Sequence, residues 1–180
     1  MTFAPIKFQE IKAISQRTLA AYWLDLASKG GLPRFDDFKP SERMHDPKRM
    51  LVWAVDGPDA GRAFNPIYGG DYYVEAFGKE FDPDTGAAEP LRSTIFDGLN
   101  ACAEMRSLIY MIIVSADAEG RQIDCERLLI PFGNGGDTVS HIMANVEVIS
   151  IEGTFQRASV FHQFNARSEV VLCGMIPGPF

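Results

Sequence analysis

The amino-acid sequence predicts a mixed α+β domain with a five-stranded antiparallel sheet and flanking helices. The stretch from Arg121 to Ile151 contains two long strand patterns joined by a turn rich in glycine, asparagine and aspartate. Its second strand alternates, which is typical of a sheet packed on one side, and His141 falls on the predicted solvent side. The apolar run from Leu108 to Val114 indicates a third strand. The remaining two strand patterns run from Met50 to Asp56 and from Arg62 to Gly69.

Composition and charge limit the classes of function. A chain of 180 residues fits one domain with extensions, and 46% apolar residues can form a buried core. The net charge of −7 argues against nucleic acid and against a membrane surface as partners. The 3 cysteines have no paired spacing, and neither a signal peptide nor a membrane-spanning run is evident. We therefore expect a cytoplasmic protein with reduced thiols.

The chain divides into three predicted parts: residues 1–31, residues 32–151 and residues 152–180. The first part is predicted to hold an amphipathic helix from about Ile6 to Ser28, the second the sheet domain, and the third a C-terminal extension. The apolar stripe of the helix consists of Phe8, Ile11, Leu19, Tyr22 and Leu26. This stripe either docks on the domain or forms a homodimer through Phe8, Ile11, Leu19 and Tyr22.

Single residues place several further elements. Pro66 has no N–H for a strand ladder, so its strand is predicted at a sheet edge or a bulge. Asp71 is expected to cap a short helix that ends at Gly78. A longer helix is predicted from Pro90 to about Arg106. Its buried stripe is Leu91, Ile95, Leu99 and Cys102. The segment Glu169 to Cys173 fits either a strand or an extended segment.

Three segments carry a resemblance to a known family. They are LAAYWLDLASKGGLPRFDDFKP (Leu19 to Pro40), RAFNPIYGGDYYVEAFGKEF (Arg62 to Phe81) and ERLLIPFGNGGDTVSHIMANVEV (Glu126 to Val148). In order and spacing the chain resembles a bacterial PAS-like domain family of small, largely uncharacterised proteins known chiefly from alphaproteobacteria. It departs from the family pattern at Asn65 to Gly69, where the family has Arg-aliphatic-Ala-Gly, and at Ile130 to Phe132, where it has Leu-Pro-Leu.

The resemblance implies a PAS-like sensory or interaction fold, in which the first and last strands lie side by side at the centre of the sheet. It also implies a pocket between the short-helix region, the longer helix and the sheet. Haem domains of this fold use a histidine on the longer helix, and Glu89 to Arg106 contains none. Flavin photosensors of this fold need an Asn-Cys-Arg-type motif, and none lies between Phe77 and Leu91. We predict no cofactor, with haem and flavin disfavoured.

No metal site is predicted either, because the histidines lack partners at ligand spacing. The candidate ligand-binding side chains surround the pocket that the resemblance implies. They are Trp53, Tyr68, Tyr72, Tyr73, Phe77, Leu91, Tyr110 and Arg127. The alternative is that the tyrosines pack as core with their hydroxyl groups at the surface.

Arg127 lies at a conflict in the strand pattern. It shares strand parity with Cys125 and Leu129, whereas Asp124 and Glu126 share parity with apolar residues further along. Either a bulge shifts the register or a charge points inward. An inward Arg127 would suit a carboxylate or phosphate ligand, and the alternative is a surface ion pair.

Three hypotheses for function remain. The first is a PAS-like sensory module that binds a small molecule or a protein and relays the signal through a dimer or partner. The second is an enzyme of the isomerase or dehydratase type in a cone-shaped α+β fold, with Asp71, Tyr72 and Glu75 available for acid–base chemistry. The third is an interaction module with a filled core. We predict no catalytic residue and no enzymatic activity.

Overall fold

The computed structural model describes residues 1–40, 46–57, 61–72, 91–116, 121–150 and 168–180. Within them lie seven strands and two α-helices. In chain order these are β1 (Ala4–Pro5), α1 (Ile14–Ala27), β2 (Met50–Asp56), β3 (Ala63–Gly69), α2 (Leu91–Met105), β4 (Leu108–Ala116), β5 (Gln122–Gly133), β6 (Val139–Ser150) and β7 (Glu169–Ile176). None of the helices in these ranges is long and apolar enough to cross a membrane.

The strands form one sheet in the order β1-β7-β4-β5-β6-β2-β3, with β1 and β7 parallel and all other neighbours antiparallel. The α+β class is confirmed, and the predicted number of five strands is wrong because the described sheet has seven. The first and last of the five predicted strands, β2 and β6, pair in the interior of the sheet. This is the arrangement that the resemblance to the PAS-like family implies.

The two additional strands come from the ends of the chain. Strand β7 lies in the segment that the sequence assigned to a C-terminal extension, and it pairs with β4 along almost its whole length. Strand β1 then pairs with β7, and the backbone N–H of Ile6 continues the ladder by donating to Met175 O at 3.0 Å. Residues 168–180 are therefore part of the sheet domain.

Strand β3 lies at the end of the described sheet, and it contains Pro66. The register between β2 and β3 shifts between Val52 and Trp53, next to the position where Trp53 pairs with Pro66. A proline in the interior of a sheet would leave a partner carbonyl unbonded, whereas an edge and a bulge both tolerate it. The predicted edge or bulge at Pro66 is confirmed in both respects.

Helix α1 begins eight residues later than the sequence predicted, at Ile14. The preceding residues form β1 and a single 3-10 turn at Phe8–Glu10, and Ala13 is extended. Ile11 and Leu19 are fully buried against the sheet of their own chain, while Phe8 and Tyr22 are half-buried. The predicted dimer contact is therefore wrong for two of its four residues, because Ile11 and Leu19 are buried inside the protomer and are not available to a second copy.

Both faces of the sheet are covered. Helix α2 packs on one face through Ile95, Leu99 and Cys102, as predicted, and α1 packs on the other. The prediction of a sheet packed on one side is consequently wrong, since Met143 and Asn145 are buried under α1. The predicted solvent position of His141 is also partly covered, because its ring stacks on Phe35 with centroids 4.8 Å apart.

Candidate functional site

Strand β5 carries two neighbouring buried charges, Glu126 at 1% and Arg127 at 6% exposure. Successive side chains of a strand point to opposite faces, so these two charged side chains lie on opposite faces of the sheet. Arg127 faces α2, where its Nη1–H donates to Ile95 O at 3.4 Å. Glu126 faces α1, where its Oε2 accepts from the backbone N–H of Ala13 at 3.0 Å. We take both sides of β5 at this position as the candidate functional site.

This arrangement resolves the parity conflict at Arg127. The register from Ile123 to Leu129 runs without a shift against both neighbouring strands, so no bulge lies at this position. Both charges point inward instead. The alternative of a surface ion pair for Arg127 is wrong, because a helix covers the side chain.

On the α2 face, Arg127 lies near an aromatic ring and two thiols. Its guanidinium carbon is 5.8 Å from the centroid of the Trp53 ring, within the range of a cation–π contact. Burial raises the pKa of Cys125 to about 12, and it raises the pKa of Cys102 further, while the Arg127 charge acts in the opposite direction on both. Both thiols are therefore neutral near pH 7 and serve as core.

Gly98 sets the distance between α2 and the sheet above Arg127. A Cβ atom at this position would lie 3.1 Å from Met111 Sδ and 3.2 Å from Leu129 Cδ1. It would also lie 3.6 Å from Arg127 Nη1. The helix can approach the strand closely only because residue 98 has no side chain. Helix α2 therefore lies close to the sheet at Gly98, beside the permanent charge of Arg127.

On the α1 face, Glu126 belongs to a buried polar cluster that we call the α1 junction: Gln16, Tyr110, Glu126 and Asn145. The Tyr110 hydroxyl donates to Glu126 Oε2 at 2.8 Å and accepts from the backbone N–H of Lys12 at 3.1 Å. Gln16 Nε2–H donates to two backbone carbonyls, Glu126 O at 3.0 Å and Asn145 O at 3.1 Å. The junction therefore ties the first turn of α1 to three adjacent strands.

Electrostatics explain why this cluster tolerates burial. The Glu126 carboxylate lies at the N-terminus of α1, where backbone N–H groups point outward and favour negative charge. Burial, opposed by the Lys12 N–H and reinforced by the Glu126 carboxylate, raises the pKa of Tyr110 well above its ordinary value. Tyr110 is therefore a neutral hydrogen-bond donor throughout the physiological pH range.

Glu147 adds a second polar connection between α1 and the sheet. Its Oε1 accepts from the hydroxyl of Ser15 at 2.8 Å, and its Oε2 pairs with Arg49 Nη1. The Arg49 guanidinium in turn lies 4.7 Å from the centroid of the Tyr72 ring. The start of α1 is thus held by polar contacts at several points.

The predicted ligand-binding residues do not form one group. Trp53 and Arg127 lie together on the α2 face, whereas Tyr110 lies on the opposite face. Tyr72 is buried beside Arg49, and Tyr68 is 46% exposed with its hydroxyl donating to Pro47 O. Three of the predicted ligand-binding residues cannot be compared with the structure. Tyr73 and Phe77 lie outside the described residues, and the side chain of Leu91 at the start of α2 is not described.

Sequence reasoning missed Gln16, which is fully buried and central to the α1 junction. The buried positions of α1 are Gln16, Leu19, Ala20, Trp23 and Ala27, so Gln16 occupies the first position of the true stripe. The sequence signal that could have identified Gln16 is its spacing, because it is a polar residue on the same helical face as Leu19 and Trp23. The predicted stripe used Tyr22 and Leu26 instead, and that phase left Gln16 off the buried side.

A separate open cleft of about 480 Å³ lies between the end of α1, the segment after it and the glycine-rich turn. Its lining includes Lys29, Arg34, Asp37 and Asp137, which give it balanced charge. None of the predicted ligand-binding residues lines it.

Comparisons with known proteins assign no family to the chain. No family model matches the chain, and no curated protein matches it. Among solved structures, the chain is similar to the Ile74Val variant of Vivid, with 13% identity and a TM-score of 0.40. The match covers 83% of this chain and 99% of the other.

The prediction of no cofactor, with haem and flavin disfavoured, is corrected for flavin alone. The prediction relied on a missing motif between Phe77 and Leu91, a segment that is almost wholly outside the described residues. A sequence motif describes one way of binding a flavin ring. Its absence gives no information about the shape or polarity of a binding pocket.

Proposed function

We propose that this protein is a PAS-like sensory module of the cytoplasm. In this proposal a small molecule binds on the α2 face of the sheet, next to Arg127 and Trp53. Its occupancy is passed through β5 to the α1 junction and from there, through α1, to a second copy or another partner. The resemblance to the bacterial PAS-like family and the central pairing of β2 with β6 support this proposal.

The observation that carries the proposal is the position of Glu126 directly beside Arg127. A ligand that attracts the Arg127 guanidinium would shift the backbone of β5 at that residue. The preceding residue, Glu126, accepts hydrogen bonds from the Ala13 N–H at the N-terminus of α1 and from the Tyr110 hydroxyl on β4. A displacement on one face therefore reaches the hydrogen bonds of the other face within a single peptide unit.

The ligand class follows from the side chains on the α2 face. Arginine keeps its charge when buried and presents a planar fork of donors that fits a carboxylate or a phosphate. Trp53 adds a flat apolar surface at 5.8 Å from the guanidinium carbon. We therefore expect a small molecule with one anionic group and an apolar or aromatic body.

Native mass spectrometry of the full chain, as purified, tests the ligand-binding half of the proposal. We expect the wild type to carry a small molecule and Arg127→Met to lose it. Arg92→Met is the matched control, because Arg92 is an exposed arginine on α2. A wild type that carries no small molecule, or an Arg127→Met protein that retains it, would contradict the proposal.

The two tryptophans allow the relay to be tested separately. Trp53 lies on the α2 face, whereas Trp23 lies on α1 with its indole N–H donating to Pro131 O at 2.7 Å. Trp23→Phe leaves a reporter for the ligand site, and Trp53→Phe leaves a reporter for α1. Removal of the co-purified molecule should change the fluorescence of both variants. A change confined to the Trp23→Phe protein would show binding without relay.

The homodimer stays a prediction, with a different contact from the one first proposed. Ile14, at the start of α1, is 74% exposed, so it is available to a second copy. We expect Ile14→Glu to weaken self-association in sedimentation velocity experiments. A wild type that stays monomeric at the highest concentration tested would remove the dimer from the relay.

A further inference from the structure

The α1 junction contains more buried hydrogen-bond acceptors than the protein around it satisfies. Gln16 Oε1, Glu126 Oε1 and Asn145 Oδ1 are buried atoms with no hydrogen-bond partner, and their residues are 0%, 1% and 1% exposed. Buried oxygen atoms in folded proteins nearly always bond to a donor or a cation. Three unpaired acceptors in one cluster indicate that the junction binds a species from outside the chain.

The donors of Gln16, Ala13 and Tyr110 at this cluster are already engaged. Both hydrogens of the Gln16 amide go to backbone carbonyls, those of Glu126 and Asn145. The Ala13 N–H and the Tyr110 hydroxyl both go to the other carboxylate oxygen, Glu126 Oε2. Because Gln16 bonds to the backbone of the two other residues, the three side chains meet between α1, β5 and β6.

The charge balance favours a cation over a neutral donor. Glu126 and Glu147 are directly opposite each other in the register of β5 and β6, and like charges at such positions destabilise a sheet. Glu147 is compensated by Arg49 and by the Ser15 hydroxyl. Among the ion pairs of the described residues none involves Glu126, so none of these residues places a cationic side chain within contact distance of its carboxylate.

We propose that the α1 junction binds one monovalent cation of the Na⁺ or K⁺ type through Gln16 Oε1, Glu126 Oε1 and Asn145 Oδ1. Hard cations prefer carboxylate and amide oxygens, which are the atoms left over here. One carboxylate with two neutral amides supplies a single negative charge, which matches a single positive one. Within the described ranges no cluster of three or more His, Cys, Asp or Glu side chains is placed to hold a metal ion, so a Zn²⁺-type site is not the better fit.

Such an ion would strengthen the attachment of α1, because its ligands come from α1, β5 and β6 at once. It would act independently of the ligand on the α2 face, so its test does not depend on the proposed sensory function. Its physical effect is to stabilise the docked form of α1 in proportion to the concentration of the ion.

Anomalous scattering from crystals of the full chain grown in thallium(I) acetate tests the site directly, since Tl⁺ substitutes for K⁺. We expect a peak within bonding distance of the three oxygens. A site without anomalous signal, with an ordered water in contact with the same atoms, would overturn the proposal. This experiment uses the wild-type protein and does not depend on the folding of any variant.

Hydrogen exchange in solution provides the second test. The reference buffer contains N-methyl-D-glucamine chloride, whose cation is too large to enter, and KCl or NaCl replaces it at equal ionic strength. Exchange of the Ala13 amide, which donates to Glu126, should slow about tenfold when the ion is at ten times its Kd. Equal exchange in all three salts would overturn the proposal.

Substitutions connect the solution effect to the site. Glu126→Gln and Asn145→Leu should each abolish the dependence on K⁺ or Na⁺, and either variant suffices if the other does not fold. Asp124→Asn is the matched control, because Asp124 lies on the same face of β5 and bonds to Gln122 outside the junction. Loss of the ion dependence in Asp124→Asn alone would place the ion elsewhere and overturn the assignment.

Discussion

Replacement of Tyr110 by phenylalanine removes one oxygen atom from the α1 junction and keeps the ring that packs in the core. Tyr110 is fully buried, and its hydroxyl donates to Glu126 Oε2 at 2.8 Å and accepts from Lys12 N–H at 3.1 Å. A hydrogen bond to a charged group contributes about 1.5–3 kcal/mol and one between neutral groups about 0.5–1.5 kcal/mol. We therefore expect Tyr110→Phe to lower the free energy of unfolding by about 2–4 kcal/mol.

Equilibrium unfolding in urea measures this loss, and thermal unfolding checks it. In a chain of this size each kcal/mol shifts the thermal midpoint by roughly 2–4 °C, so a fall of roughly 4–16 °C is expected. Tyr68→Phe is the matched control, because its hydroxyl is on an exposed side chain and donates to Pro47 O at 3.2 Å. The control should change the free energy of unfolding by at most about 0.5 kcal/mol.

The effect of Tyr110→Phe should also depend on pH. Burial raises the pKa of Tyr110 in the folded protein, while the unfolded chain loses this proton near the ordinary value of 10.0. A group whose pKa is raised by folding contributes its full stabilisation below the unfolded pKa and loses it as the pH rises. The difference in stability between wild type and Tyr110→Phe should therefore narrow above about pH 10.

Two results would refute this reasoning. A Tyr110→Phe protein that loses less than about 1 kcal/mol would mean that the hydroxyl bonds are not formed or are replaced by water. Unchanged hydrogen exchange at the amides of Lys12 and Ala13 would mean that the loss, if present, arises away from the start of α1. In Tyr68→Phe the exchange of both amides should stay at the wild-type rate.

Two further predictions concern packing around α1 and the added strands. Trp23→Phe removes the indole N–H that donates to Pro131 O at 2.7 Å, and it should cost about 2–4 kcal/mol in urea unfolding. Gly174→Ala places a Cβ 2.5 Å from the Cδ1 and Cγ2 atoms of Ile6, so β1 must move and the thermal midpoint should fall by an amount equivalent to about 1–3 kcal/mol. Gly136→Ala, where no atom lies within 4 Å, should stay within about 0.5 kcal/mol of wild type, and equal effects of the two alanine variants would contradict the close packing.

The central part of the fold follows from local sequence patterns. The positions of strands β2 to β6 can be predicted from the sequence, because apolar periodicity and β-branched residues are local properties. Their pairing partners cannot be predicted in this way. The stripe of α2 is readable for the same reason, and Ile95, Leu99 and Cys102 are buried as expected. The edge position of β3 follows from one atom, since Pro66 lacks the N–H that an interior strand requires.

The ends of the fold do not follow from local patterns. β1 has only two residues, and its place depends on β7, which lies about 170 positions away in the chain. The segment Glu169 to Ile176 is apolar after its first residue, but that pattern did not separate a strand from an extended segment, and its pairing with β4 decides the matter. The start of α1 was misplaced because Ile11 is buried from an extended segment, and one buried residue does not distinguish a helix from a strand.

The residues of the candidate site were likewise predicted only in part from the sequence. The parity conflict around Arg127 was visible in the sequence, and it marked the position where both faces of β5 carry a buried charge. The sequence left open whether a bulge or an inward charge resolves it, because either outcome satisfies the alternation rule. The grouping of aromatic residues failed because Tyr110 shares sheet parity with Glu126, and this is decided by the pairing of β4 with β5.

The two buried charges on β5 have different consequences because their surroundings differ. Arg127 lies under α2, where the approach of Gly98 leaves little space, so a change there must be passed to the strand or the helix. Glu126 lies under the first turn of α1, where attachment depends on a few directional hydrogen bonds to Tyr110 and Ala13. Close packing transmits small displacements, and directional bonds lose energy steeply when they are displaced. In the proposed relay, the pair would convert a small movement on the α2 face into a change in the attachment of α1.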